Sequence, residues 1–252
     1  MTNKIPNYGK TFALMRDGCT PEWRDYIDHN FVKGLADGSL PQASFLHYMA
    51  QDYVYLVHYA RAWALGVVKA ESPEEMKLCA ATVDSLINHE FSLHIQTCAA
   101  QGISEEALFN AKEELETIAY TRYVLDSGLQ GDFLDLILAL APCAFGYGEI
   151  GLRLKESVYE GHPYEKWINT YCGDAFQEVC VEVGRLVDLA ISTRIGDNPT
   201  QSPRWAKMQA RFTKAVELEA EFWEMGFRAG NKGEGYKVEG SKEEGKKGEK
   251  HA

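Results

Sequence analysis

The sequence contains no stretch of alternating apolar and polar residues bounded by hairpin turns, which excludes a fold built on sheets. Its 6 cysteines, at 19, 79, 98, 143, 172 and 180, include no Cys-x-x-Cys pair; they read as reduced thiols and not as a zinc knuckle or a disulfide framework. No apolar run reaches the roughly 18 residues of a bilayer span, so no membrane association is expected. The opening Met-Thr-Asn-Lys-Ile-Pro has no apolar signal core, which points to a cytoplasmic protein. Positive charge is also short. Against 37 Asp and Glu stand 26 Lys and Arg, and the net charge of −11 repels nucleic-acid backbones and anionic membranes alike.

What is present is an ordinary globular composition, 45% hydrophobic, with 12% aromatic residues to furnish both a core and a pocket. Apolar residues recur at threes and fours along most of the 252 residues, so the chain reads as all-α, with more helices than a four-helix bundle. Thr20 as N-cap and Pro21 in the first turn open a helix carrying Trp23, Tyr26, Ile27, Phe31 and Leu35 to a stop at Asp37-Gly38. A long amphipathic helix is predicted from Pro41 to about Ala70, with Asp52 and Tyr55 one turn apart among apolar neighbours. Ser72, Pro73 and Glu75 cap a helical pattern running to Ala100. Further helices are expected from Ser104, over Ile118 to Leu125 ending before Ser127-Gly128, from Asp132 to about Tyr159, from His162 to Cys172, from Asp174 to Ile195 and from Trp205 onward. Beyond about Gly230 the chain turns to Gly, Lys and Glu. Residues 1–230 therefore read as one helical domain and 231–252 as a flexible tail.

The chemistry is best sought at Ala141 to Gly151. Cys143 ends an apolar run beside Pro142, which should interrupt or kink a helix, and Tyr147 lies one turn further on. From this stretch alone an inert buried cysteine in a glycine-softened helix is the stronger reading. Asp52 and Glu219 weigh more, because a carboxylate on an apolar helix face is rarely kept there for stability. Tyr55, Tyr120, Tyr171 and Phe222 complete a set of inward phenols and a phenyl ring.

Five motifs, Gln-Asp-Tyr-x-Tyr at 51–55, Ala-Tyr-Thr-x-Tyr at 119–123, Pro-Cys-x-x-Gly-Tyr at 142–147, Trp-Ile-x-x-Tyr at 167–171 and Glu-x-x-Phe-Trp at 219–223, resemble the TenA/thiaminase II family. The resemblance spans about Thr20 to Gly230. It implies a haem-oxygenase-like helical fold without haem, no cofactor or metal, a homotetramer, and hydrolysis of aminopyrimidines in thiamine salvage. The substrate would be thiamine or 4-amino-5-aminomethyl-2-methylpyrimidine, with the residues unable to choose between them, and the product the 5-hydroxymethyl compound. Cys143 would attack the unsubstituted ring carbon, and Glu219, assisted by Tyr55 and Tyr171, would hold or protonate the adjacent ring nitrogen. Asp52 would bind the exocyclic amine and the other ring nitrogen. Tyr147 is expected against Cys143 or Glu219, with Tyr120 and Phe222 walling the ring.

Three other readings remain. His89, Glu90 and His94 suggest a metal oxidase, although no Glu-x-x-His pair supplies the rest of a di-iron site. A quinone-forming relative of the PqqC type would want a basic pocket. A non-enzymatic regulator would want a basic recognition helix.

Overall fold

The computed structural model describes residues 5–231, and within them every regular element is helical. Residues 232–252 of the expected tail lie outside the described residues. The elements are α1 (Lys10–Asp17), α2 (Thr20–Ile27), α3 (Asn30–Asp37), α4 (Gln42–Lys69), α5 (Pro73–Ser85), a π turn (Leu86–Glu90) and α6 (Phe91–Ala99). They continue as α7 (Glu105–Phe109), α8 (Leu115–Gln130), α9 (Phe133–Leu154), α10 (Glu165–Cys172), α11 (Asp174–Arg194) and α12 (Trp205–Asn231).

The fold is organised around α9. Its side chains at Leu134, Leu138, Ala139, Leu140 and Ala141 have no exposed surface, because α4, α8, α10, α11 and α12 all pack against it. Each large aliphatic side chain so buried stabilises the fold by about 1.5–3 kcal/mol. By length and composition the segment Phe133–Ser157 could cross a membrane, which corrects the expectation that no segment is apolar enough. Of its most apolar window 94% is buried within the protein, as for the central helix of a core.

The helix begins with a capping box. Asp132 accepts from the Asp135 amide and Asp135 accepts from the Asp132 amide. Two arginines then brace the cap. Arg204 reaches Asp132 and Asp135, and Arg211 at the start of α12 donates to Asp135 at 3.0 Å.

Several boundaries differ from the sequence expectation, each for a local reason. The helix expected from Thr20 to Asp37 is two, because His29 caps a fresh start by accepting the Phe31 amide. Its first cap position is Cys19, while the Thr20 hydroxyl donates back to the Asp17 carbonyl. Residues 10–17, read only as a packing segment, form α1. The expected stop at Ser127-Gly128 is passed over: a side chain at 128 would press on Leu65 and Leu136, so this glycine serves packing. Pro142 does not interrupt α9. An interior proline costs about 3 kcal/mol in a helix, and here the residue is buried within the packed core that surrounds α9. The pattern from Pro73 to Ala100 is broken by the π turn, whose extra residue shifts the register of everything after it.

Candidate active site

Cys143 is the one cysteine of the six that is only half-buried by its accessible surface; the other five are buried. It is nevertheless deep within the bundle, so that surface belongs to an interior space. Burial pushes its thiol well above the ordinary range, and the nearby carboxyls of Glu219, Asp52 and Glu90 push in the same direction. The resting sulfur is therefore protonated.

Glu219, from α12, faces it. Burial raises this carboxyl to about 8, and the charge of Asp52 adds to the shift. The Tyr120 hydroxyl donates to its Oε1 at 2.7 Å, and the Cys143 thiol is close enough to favour its charged form. The hydroxyls of Tyr26 and Tyr55 are buried and complete no well-formed hydrogen bond. Even so, Tyr26 is close enough to Glu219, and Tyr55 to Cys143, to favour the charged form of each. Leaving a buried hydroxyl unpaired costs about 1–3 kcal/mol. Two such hydroxyls beside one thiol and one protonated carboxyl mark a place prepared for another polar molecule.

Tyr26 reaches this point from α2 because Gly146 leaves room on α9. A Cβ at position 146 would stand 2.0 Å from the Tyr26 ring.

Asp52 forms the opposite end. Its Oδ2 accepts from the Tyr48 hydroxyl at 2.9 Å and bonds His94 Nε2 at 2.7 Å, while His94 Nδ1 meets the Glu90 carbonyl at 3.0 Å. Both partners of the imidazole are acceptors, so the ring makes both bonds only as imidazolium. Burial opposes that charge, and the hydrogen bond and charge of Asp52 outweigh it, leaving the His94 pKa raised. Tyr48 also meets the hydroxyl of Tyr147 at 3.2 Å and accepts from Trp167 Nε1 at 3.4 Å.

Between the two ends stand aromatic walls. Tyr55 lies 4.8 Å from Tyr120 and 5.7 Å from Phe222 on one side, and Tyr147 lies 5.0 Å from Tyr171 on the other. An adjoining cleft of about 450 Å³ is lined partly by Met49, His94 and Trp167, so it abuts the Asp52 end from outside without reaching Cys143.

The structure thus brings Cys143, Glu219, Tyr55 and Tyr120 together, and places Phe222 beside Tyr55. Two partnerships differ from expectation. The Tyr147 hydroxyl bonds Tyr48 in place of Cys143 or Glu219. The Tyr171 hydroxyl is pushed up by burial and then by the charge of Asp52, and it lies beside Tyr48, at the Asp52 end of the site. Tyr120, expected as a wall, is a hydrogen-bond donor. Tyr26 and Tyr48 were not foreseen at the site, Trp167 was read only as part of a motif, and Glu90 only as a metal ligand. His94 was weighed only as a metal ligand, but His89 is exposed while His94 is turned inward to Asp52. Among the described residues no three His, Cys, Asp or Glu side chains converge as a metal site would require.

The chain belongs to the TENA/THI-4/PQQC family, whose profile matches residues 16–229. It is 35% identical over 217 residues to an aminopyrimidine aminohydrolase of Halalkalibacterium halodurans, covering 85% of this chain and 94% of that protein. Among solved structures it resembles a TenA family transcription regulator of Silicibacter sp. TM1040 with TM-score 0.85 and 51% identity, over 87% of this chain and 97% of the other. A Shewanella denitrificans domain with a heme oxygenase-like fold superposes with TM-score 0.67 at 16% identity, over 87% of this chain and 92% of the other, a likeness of fold alone.

Proposed function

We propose that this chain is a thiamine-salvage hydrolase that cleaves 5-substituted 4-amino-2-methylpyrimidines, thiamine or its aminomethyl breakdown product, through a covalent bond to Cys143. The observation that carries the proposal is a buried thiol electrostatically coupled to a carboxyl raised to about 8, with the hydroxyls of Tyr26 and Tyr55 unpaired beside them. The name of the Halalkalibacterium relative supports the same substrate class.

An aminopyrimidine resists attack by sulfur unless a ring nitrogen takes a proton as the new bond forms. On this reading Glu219 gives its proton to that nitrogen and receives the thiol proton, so sulfur adds to the neighbouring carbon without a free thiolate in the resting site. The leaving group then departs from the methylene with its electron pair. Water bonds to the methylene, the carbon–sulfur bond breaks, and the ring proton returns through Glu219 to sulfur. Tyr120 holds Glu219, and Asp52, fixed by Tyr48 and His94, accepts from the exocyclic amine. The proposal includes a homotetramer in the cytoplasm; exposed Phe109, Leu115 and Leu129 offer apolar surface for assembly.

The test is incubation of the purified chain with each of the two pyrimidines, following release of the 5-hydroxymethyl product. Turnover of at least one is expected. Failure to turn over either would contradict the hydrolase reading.

A further inference from the structure

Glu90 is a third carboxyl at this site. It ends the π turn, one turn before His94, whose ring binds its carbonyl on one side and Asp52 on the other. The Glu90 side chain therefore lies on the helix face that meets Asp52. Among the described residues its carboxyl has electrostatic neighbours, His94 and Asp52, but no hydrogen bond. Its charge is felt by Cys143 on α9, Tyr59 on α4, Tyr171 on α10 and Cys180 on α11. With His94 one turn on and bound to Asp52, this places Glu90 at the Asp52 end of the site.

The order of atoms round the pyrimidine gives this position a meaning. Starting at the nitrogen held by Glu219, the next atom is the carbon attacked by Cys143, then the carbon bearing the methylene, then the carbon bearing the amine bound by Asp52. A group felt by both Cys143 and Asp52 flanks the methylene and whatever leaves it. Burial raises Glu90 to about 7, so it exchanges a proton readily near neutrality.

We infer that Glu90 is a catalytic residue that serves the leaving group, supplying the proton with which an amine departs from the methylene. This rests on the hydrolase reading above. With the amine bound in its uncharged form, the carbon–nitrogen bond breaks, its electron pair goes to nitrogen, and the nitrogen takes the proton from Glu90 and leaves as ammonia. The Glu90 carboxylate then takes a proton from the water whose oxygen bonds to the methylene. The carboxyl is restored.

The inference separates the two substrates. The thiazole of thiamine leaves as a neutral base and needs no proton, so only the amine depends on Glu90 for departure. Comparing kcat/KM on the two, Glu90→Gln should lose about 100-fold or more on the aminomethyl pyrimidine and under about 10-fold on thiamine. Glu90→Asp, which keeps the acid, should recover part of the amine cleavage; it also carries the test should the glutamine variant fold poorly. Equal losses on both substrates would overturn the inference, as would a wild type that cleaves thiamine but not the amine. A wild type inert to both would instead defeat the hydrolase reading itself.

Discussion

Cys143 and Glu219 meet from two helices that run in the same direction, and the meeting is set eight positions earlier. Asp135 and Arg211 form an ion pair between the same helices, each eight residues before its partner at the site. Eight residues span about 12 Å of helix, so one contact near the cap fixes the register of the other. A slip of α12 along α9 would part the carboxyl from the thiol. Breaking the pair should therefore cost activity as well as stability.

Arg211→Met tests that coupling. Asp135 is almost wholly buried, and removing one partner from such a pair costs about 3 kcal/mol, with Arg204 retaining part of the contact. Urea unfolding should show that loss. The kcat should fall further than pyrimidine affinity does.

Glu219→Gln should abolish most of the hydrolysis and yet stabilise the fold at alkaline pH. The folded carboxyl titrates at about 8 against an ordinary 4.5, so the folded state holds the extra proton between those values. Stability from this group is complete below about 4.5 and is lost as pH rises toward 8, by an amount on the order of a few kcal/mol. Thermal melts of wild type and variant should diverge with rising pH, with the glutamine variant the more stable at pH 8.

Cys143→Ser should lower turnover by at least about 1,000-fold, because a serine hydroxyl beside the same carboxyl is a far weaker nucleophile. Pyrimidine binding, measured by calorimetry, should change little. The aromatic walls and Asp52 are left intact.

Gly146→Ala should unfold or distort the site despite adding a single methyl group. The new Cβ meets the Tyr26 ring at 2.0 Å, and Tyr26 has no exposed surface into which to move. Overpacking of this kind costs about 1–3 kcal/mol. The paired variant Gly146→Ala/Tyr26→Leu should recover stability but not rate.

The residues that the sequence revealed best lie in short motifs with their own chemistry. Cys143 stands beside a proline, and Asp52 and Glu219 are acids on apolar helix faces. Tyr48 was within reach of the same reasoning, since it precedes Asp52 by one turn. Tyr26 was not, because its role depends on α2 crossing α9 at Gly146, a contact between positions 120 residues apart. The π turn at Leu86–Glu90 was hidden for another reason: apolar spacing continues through it, and one inserted residue changes which side chains face inward without altering composition. The break at Asp28-His29 escaped similarly, as Tyr26, Ile27 and Phe31 keep helical spacing across it.

The account holds that thiol and carboxyl act as one unit on one edge of the pyrimidine. A double-mutant cycle in kcat/KM tests this most directly, using Cys143→Ser, Glu219→Gln and the two together. The double variant should be no slower than the slower single variant. Losses that multiply would mean that the two groups act in separate steps or separate places, and would contradict the account.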